Sequence, residues 1–326
     1  MPELTRPQRR ALTLLALVLL GVAIGGLLAW WQRAGDVAKP EPSAAVGHAE
    51  AATPTAFAQR PSFSVVPQMD AAELLRQPGA PNWRLARWRG NPQVLVLEFP
   101  DLAQQGAAMN RVAAFIEKAG APRDRVLSND DLARLIARNG DNAQTFYQGH
   151  DYVAEHLARF FSLARAQQQA LNPAEQRLLD LLLEKRVLLA EGAGYTAQGL
   201  QAIVTFTQPQ ADDPRTPQDE AVDSRRRESV LLHELSHGLF FTNRPYREHC
   251  WRFWREGLSE AERAQWRRLL ARMDYDPRNE ELLVNEMQAL LLHTPDDRAF
   301  NAQSLGLTPE QLERQRQRFR KGMPQQ

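Results

Sequence analysis

The 326-residue chain contains a single cysteine, Cys250, and therefore cannot form an internal disulfide. It also lacks an excess of either charge, because 40 lysine and arginine residues nearly balance 39 aspartate and glutamate residues. Since no net field would attract a polyanion, the composition gives no support to nucleic-acid binding. The cysteine count leaves the redox compartment open, so the location must be predicted from another part of the sequence.

A long apolar segment near the N-terminus predicts a transmembrane signal anchor. Arg6, Arg9 and Arg10 precede residues 11–31, ALTLLALVLLGVAIGGLLAWW, which carry no charge. At about 1.5 Å per residue, this segment spans roughly the 30 Å hydrocarbon core of a bilayer. The arginines predict that residues 1–10 are cytoplasmic, which places the rest of the chain on the periplasmic or extracytoplasmic side of the inner membrane. A cleaved signal peptide is the alternative, although its apolar region is usually shorter.

The chain after the apolar segment divides into a linker and a folded domain. Residues 32–61 are rich in Ala, Pro, Thr and Glu without apolar periodicity, which predicts a disordered linker. Residues 62–326 are expected to form one domain, mainly α with a small β element (α+β). Helices are predicted at 151–169 and 174–189, among others, and a strand in LQAIVTFTQ at 200–208. The predicted body is therefore helical, with a short strand-bearing element before residue 230.

The stretch VLLHELSHGLFF, residues 230–241, matches the pattern H-E-x-x-H. In a helix, His233 and His237 lie one turn apart on the same face, so both imidazoles can bind one zinc ion at about 2.0–2.1 Å. Glu234 would lie beside the ion, where it can accept a proton from water whose pKa the cation lowers. The alternative is a pair of core histidines bonded to backbone groups, with Glu234 paired to an arginine.

Glu286 is predicted to be a third ligand. In ELLVNEMQALLLH, Leu282 and Leu283 precede it by one turn and Leu290 follows it by one turn, so its side chain projects from an apolar face. Glutamates are rarely buried without a partner. A zinc ion already bound by two imidazoles would take this carboxylate and keep a fourth position for water. An ion pair with an arginine, or a less buried position, is the alternative.

The H-E-x-x-H motif, followed 49 residues later by Asn285-Glu286 on a separate helix, resembles the gluzincin branch of zinc metallopeptidases, which includes the thermolysin-like enzymes. The resemblance covers residues 228–293 and implies a zincin-like catalytic domain with one zinc ion. The metal ligands that it implies are His233, His237 and Glu286, with Glu234 as general base for peptide hydrolysis. The metzincin branch is disfavoured, because it would have glycine and histidine where this chain has Phe240 and Asn243.

The chain departs from the thermolysin-like pattern at the residue that stabilises the tetrahedral intermediate. Those enzymes use a histidine well beyond the third ligand, whereas only His293 follows Glu286 here, and no tyrosine does. The candidates elsewhere in the chain are Tyr246, Tyr275, Tyr195 and His249. Tyr246 is the predicted catalytic residue, because it follows the motif helix closely; a packing role is the alternative. The resemblance also implies an edge strand that pairs with an extended substrate, for which residues 200–208 are the candidate. A purely structural hairpin strand is the alternative for this segment.

The predicted function is that of a membrane-anchored zinc peptidase whose partners are a peptide or protein substrate and, through residues 11–31, the membrane. The alternative is a non-catalytic zinc-binding envelope domain that acts through protein partners. The missing downstream histidine favours this alternative, whereas retention of Glu234 argues against it, since a structural zinc site needs no base. A helical envelope protein without metal is a third interpretation.

Overall fold

The structure, a computed structural model, describes residues 66–324. The predicted anchor at 11–31 and the predicted linker at 32–61 lie outside the described residues. Within residues 66–324, no helix has the length and apolar character needed to cross a membrane. This part of the chain is about half helical with a mixed β-sheet, which confirms the α+β prediction.

The strands of the described residues are β1 (Gln68–Met69), β2 (Arg84–Trp88), β3 (Val94–Phe99), β4 (His150–Val153), β5 (Leu188–Glu191), β6 (Gly194–Ala197) and β7 (Ala202–Thr207). The α-helices are α1 (Ala71–Arg76), α2 (Leu102–Ile116), α3 (Asn129–Arg138), α4 (Ala154–Ala166), α5 (Pro173–Glu184), α6 (Ser224–Thr242), α7 (Arg244–Arg252), α8 (Glu260–Arg272), α9 (Glu280–His293) and α10 (Pro309–Arg320). A π-helical turn, Phe253–Gly257, follows α7, and a 3₁₀ turn, Ala302–Leu305, precedes α10.

Five strands form one sheet in the order β1-β2-β3-β7-β4. The central pair, β3 and β7, is parallel, whereas β4 runs antiparallel to β7. Every residue of β3 and β7 is buried, as expected for strands that are covered on both faces. β5 and β6 form a separate antiparallel hairpin.

Helices cover both faces of the sheet. One face packs against α2, α4 and α5 through a core that includes Phe99, Met109 and Phe160. The other face packs against α6 through a core that includes Val96, Val204 and Leu231. A third core joins the end of α6 to α7, α8, α9 and α10. Helix α6 therefore lies between the sheet and the C-terminal helices, and it is the element that carries the H-E-x-x-H motif.

Two local features fix α6 in place. The Asp223 side chain caps its N-terminus by accepting a hydrogen bond from the Arg226 backbone N–H. One residue after the second histidine of the motif, Gly238 lies so close to the sheet that a Cβ there would approach Val94 Cγ1 to 2.7 Å. Only glycine allows this separation, so the helix and the sheet pack at short range beside the motif.

Three predictions from the sequence are corrected by the sheet. The helix predicted at 151–169 begins at Ala154, because residues 150–153 pair with β7 as strand β4. The helix predicted at 174–189 ends at Glu184, and residues 188–191 pair with β6 instead. The strand predicted at 200–208 forms as β7, but it lies inside the sheet between β3 and β4. The edge strand beside α6 is therefore β4.

Candidate metal centre

Helices α6 and α9 bring the three predicted ligands together. The Nε2 atoms of His233 and His237 lie 2.9 Å apart. Glu286 reaches across from α9, with 3.6 Å between its Oε2 and His233 Nε2 and 3.6 Å between its Oε1 and His237 Nε2. These three side chains form a group with the composition of a metal site.

The spacing of these atoms fits a single ion. Ligand atoms about 2.0–2.2 Å from one ion at tetrahedral angles lie about 3.3 Å from each other. The separation between the two histidine nitrogens, 2.9 Å, is shorter than this value, and the two separations from Glu286, 3.6 Å each, are longer. In addition, Glu286 is 2% exposed, and its Oε2 is buried without a hydrogen-bond partner. Leaving such an atom unpaired is costly, and a cation between the three side chains would satisfy it.

The two histidines have the protonation state that metal binding requires. Burial lowers the pKa of His233 to about 4, and burial is also the main cause that lowers the pKa of His237 to about 4. Both rings are therefore neutral at pH 7. The Thr294 hydroxyl donates to the Ala289 carbonyl oxygen at 3.0 Å and lies 2.8 Å from His233 Nδ1. Thr294 is thus available to accept the Nδ1–H, which leaves the Nε2 lone pair directed at the other ligands.

Glu234 lies beside the ligands, on the side of His237. One carboxylate oxygen of Glu234 lies within 4.8 Å of a ring nitrogen of His237, and its Oε2 is buried without a hydrogen-bond partner. Burial raises the pKa of Glu234 well above its ordinary value, with further contributions from the negative charges of Glu286 and Glu117. A bound cation would oppose this shift, because its charge favours the ionised carboxylate. The arrangement leaves an unpaired carboxylate oxygen available for proton transfer.

Asp151, on β4, is a site residue that the sequence analysis missed. Its Oδ2 lies 3.9 Å from His237 Nδ1 and accepts a hydrogen bond from Asn285 Nδ2 at 3.4 Å. Asp151, Glu234 and His237 form a second group of potential metal ligands that shares His237 with the first. Burial and the charges of Glu234, Glu117 and Glu286 raise the pKa of Asp151 well above its ordinary value.

A further buried carboxyl group, Glu117, lies behind Asp151. Burial raises the pKa of Glu117 to about 8, although the hydroxyl of Tyr152, which donates to its Oε1 at 2.7 Å, acts in the opposite direction. Because the charge of Glu286 contributes to this shift, the ligand group and Glu117 belong to one electrostatic system.

Two cavities border β4. The first, of about 310 Å³, is lined by Glu117, Asp151 and Asn285 among others. The second, of about 1050 Å³, extends along the start of α4 towards the β5–β6 hairpin. The two cavities share the lining residues His156, Arg159, Phe241 and Glu281. Among the described residues, β4 pairs only with β7, and three of its four residues, Asp151, Tyr152 and Val153, line these cavities.

Tyr246, the predicted catalytic residue, is bonded to two side chains of α9. Its hydroxyl donates to Gln288 Oε1 at 2.6 Å and lies 3.1 Å from His293 Nε2. Gln288 in turn donates to Ser236 Oγ at 3.2 Å. Gln288 is turned about 200° around the helix from the ligand Glu286, whereas His293, seven positions after Glu286, lies on the same face as that ligand. The Tyr246 hydroxyl is thus part of a buried network that joins α6, α7 and α9.

Tyr275, another of the candidates, lies near enough to Glu286 to influence its pKa. It lies in the connection between α8 and α9, where it pairs with Lys118 in an isolated β-bridge. Burial raises the pKa of Glu286, whereas the neighbouring His237 and the Tyr275 side chain act in the opposite direction. The charge of Glu286 also contributes, after burial, to a pKa of Tyr275 well above its ordinary value, so the phenol stays protonated. Tyr275 can therefore donate a hydrogen bond beside the ligands.

The other two candidates lie elsewhere. The backbone of Tyr195, on β6, bonds to Ser162 on α4, and its ring contacts Phe161. His249 Nε2 lies 2.7 Å from the Phe319 carbonyl oxygen in the C-terminal core. No contact joins either residue to a metal-ligand candidate among the residues that the structure describes.

Comparison with known proteins gave no significant similarity: no family model, no curated protein and no solved structure matches the chain. The interpretation of the metal centre therefore depends on the sequence motif and the geometry described above.

Proposed function

We propose that this chain is a zinc-dependent peptidase of the gluzincin type, with a zincin-like domain anchored to the membrane by residues 11–31. The observation that carries the proposal is the convergence of His233, His237 and Glu286 at separations that suit one ion, with the unpaired carboxylate of Glu234 beside them. Neutral imidazoles and a carboxylate are the ligand set that zinc takes in catalytic sites. Extraction of membranes at alkaline pH tests the anchor, because an integral protein stays in the pellet.

The chemistry follows from the positions of the side chains. A zinc ion held by the three ligands supplies Lewis acidity, which lowers the pKa of water and polarises a carbonyl group. Glu234 takes the proton from the attacking water and delivers it to the nitrogen of the leaving amine, as a general base and then a general acid. Its buried Oε2 is suited to this role, because no hydrogen-bond donor among residues 66–324 competes for it. The reaction is hydrolysis of a peptide bond.

The cavities along β4 support a peptide or protein as the substrate. The unpaired edge of β4 offers backbone donors and acceptors to an extended chain, and Asp151 on this strand lies next to His237. A peptide paired with this edge would pass the metal ligands, so that strand pairing sets the position of the scissile bond. The edge strand assigned to 200–208 from the sequence is therefore replaced by β4 in the proposal.

The proposal is tested by metal analysis and inhibition of the full-length protein. Purified protein should contain one zinc ion per chain and should cleave a library of fluorescence-quenched peptides. Treatment with 1,10-phenanthroline should abolish cleavage, and added zinc should restore it, whereas the non-chelating 1,7 isomer is the control. Protein that contains no zinc and binds none when it is supplied would contradict the proposal.

Replacing Tyr275 by phenylalanine is expected to lower kcat by about 10- to 1000-fold without loss of zinc. The reason is that a protonated phenol beside the ligands can donate a hydrogen bond to the oxyanion, and removing one such donor usually has an effect of this size. Tyr246→Phe is the matched comparison, since it removes a hydroxyl from the buried Gln288 network. We expect Tyr246→Phe to reduce thermal stability more than turnover. Equal values of kcat for Tyr275→Phe and the parent would exclude this role.

A further inference from the structure

Gly149 and Asp151, at the start of β4, each contact the motif helix. Because side chains alternate along a strand, Asp151 faces α6, whereas His150 faces the opposite side of the sheet. His150 is held there by a 3.1 Å contact between its Nδ1 and Thr205 Oγ1, and the Thr205 hydroxyl donates to Gln105 Oε1. Pairing of Asp151 with Val204 fixes the strand relative to β7. These contacts fix the beginning of β4 in the sheet, with Asp151 directed towards α6.

The first contact lies between Gly149, which immediately precedes β4, and the Glu234 carboxyl group. A Cβ placed on Gly149 would lie 2.7 Å from both Cγ and Cδ of Glu234, closer than nonbonded carbon atoms approach. The backbone at residue 149 therefore packs directly against the Glu234 side chain and limits its position. Any larger residue there would displace the carboxyl group or the strand.

The second contact lies between Asp151 and His237. The His237 side chain is 1% exposed, and no group among the described residues lies within hydrogen-bond distance of its buried Nδ1, although the neighbouring Asn285 side chain acts to raise the pKa of the ring. The nearest carboxylate oxygen, Asp151 Oδ2, is 3.9 Å away and is held by Asn285. When Nε2 of a histidine binds a metal, Nδ1 carries the proton, and it almost always donates to a carboxylate, a carbonyl or water. Asp151 is the carboxylate in position to receive this proton after a movement of about 1 Å.

We propose that Gly149 and Asp151 are positioning residues of the metal centre: Gly149 leaves the space in which the Glu234 carboxylate is held, and Asp151 accepts the Nδ1–H of His237. The proposal deepens the proposed function and rests on it for the metal-dependent part. The proposal also predicts which of the two groups of potential ligands binds the ion: the group of His233, His237 and Glu286, and not the group of Asp151, Glu234 and His237. A neutral imidazole has one acceptor nitrogen, so a His237 ring that binds through Nε2 and donates from Nδ1 leaves no ligand atom for a second ion. The expected stoichiometry is one ion per chain.

The role of Asp151 is tested with full-length Asp151→Asn and Asp151→Ala proteins. Competition with a chromophoric chelator should give a zinc Kd about 10- to 100-fold weaker than that of the parent, with the larger change in the alanine variant. The visible spectrum of the cobalt-substituted protein should shift, because the ligand field changes with the orientation of the His237 ring. Asp180→Asn, an exposed change on α5, is the control and should leave both readouts unchanged.

Two results would overturn the assignment of Asp151. One is an Asp151→Ala protein whose zinc Kd and cobalt spectrum equal those of the parent. The other is a parent that binds two ions per chain and loses one of them in the variant, since Asp151 would then be a ligand. Circular dichroism shows whether each variant is folded. If Asp151→Ala does not fold, the isosteric Asp151→Asn decides the matter by the same readouts.

The role of Gly149 is tested by a double-mutant cycle on thermal stability. Gly149→Ala should lower both the melting temperature and kcat, with an unchanged zinc Kd. In a Glu234→Ala background, where the overlapping Cγ and carboxyl atoms are gone, the same substitution should cost little stability. Equal losses of stability in the two backgrounds would refute the contact. This cycle needs neither zinc nor activity, so it stays informative even if the proposed peptidase function fails.

Discussion

Glu234→Gln is expected to reduce kcat for peptide hydrolysis by about 10²- to 10⁴-fold while the protein keeps its zinc. The amide is isosteric with the carboxyl group but cannot accept the proton of the attacking water. This decrease in kcat corresponds to an increase of about 3–5 kcal/mol in the activation free energy. Because Glu234 is not one of the three converging ligands, metal analysis of the variant should still give one ion per chain.

The same substitution should leave the fold as stable as the parent or more stable. Burial raises the pKa of Glu234, so its ionised carboxylate is held in the protein at an energetic cost that glutamine does not have. The matched control is Glu228→Gln, which makes the same change at an exposed position of the same helix. It should retain parental kcat. If Glu234→Gln remains as active as the parent, a general-base role is excluded, and the alternative of a non-catalytic zinc-binding envelope domain gains support.

Glu286→Gln is expected to weaken zinc binding by more than about 100-fold. Replacing a residue that only hydrogen-bonds to a metal ligand already lowers metal affinity by about 10- to 100-fold, and loss of a ligand itself should have a larger effect. The neutral amide oxygen is a much weaker ligand than a carboxylate, and the two imidazoles alone cannot complete the site. At zinc concentrations of 100 times the parental Kd, bound zinc stabilises the parent by about 2.7 kcal/mol, most of which the variant should lack.

This second prediction is measured by thermal unfolding with zinc and with a chelator. The parent should melt at a higher temperature with zinc, whereas the variant should melt at the same temperature in both conditions. Glu280→Gln, at the exposed start of the same helix, is the control, and the rise in its melting temperature on addition of zinc should equal that of the parent. A Glu286→Gln protein that purifies with one tightly bound zinc would show that another residue is the third ligand.

The part of the site that the sequence predicts is the part that depends on helical periodicity. His233 and His237 come together because they are four residues apart in one helix. Glu286 was found because a carboxylate on an otherwise apolar helical face needs a partner. Both signals are local, and both correspond to contacts in the structure.

Asp151 and Gly149 could not be found in this way, because their contacts with α6 depend on the pairing of β4 with β7. Asp151 and His237 are 86 positions apart, and no periodic pattern connects them. Tyr246 was favoured for its closeness along the chain, and its hydroxyl bonds to Gln288 and lies 3.1 Å from His293 Nε2. Its catalytic role stays a prediction.

The edge strand could have been assigned better. The run at 202–207 begins with three apolar residues, and all of its positions are buried, including Thr205 and Thr207. Such a run indicates a strand covered on both faces, which is typical of the interior of a sheet. The residues of β4, His-Asp-Tyr-Val, alternate between buried and half-buried positions instead. This polar character was visible in the sequence, but the helix pattern that begins at Ala154 obscured it.

The distance along the chain between His237 and Glu286 has a consequence for folding. An ion held by both residues closes a covalent and coordinate loop of 49 residues in a chain whose single cysteine cannot close one by a disulfide. In the chain-entropy treatment of cross-links, a loop of this length restricts the unfolded chain by about 4 kcal/mol if the bond persists there. Zinc that stays bound during unfolding would thus act as a reversible cross-link between α6 and α9. A chelator would remove this cross-link.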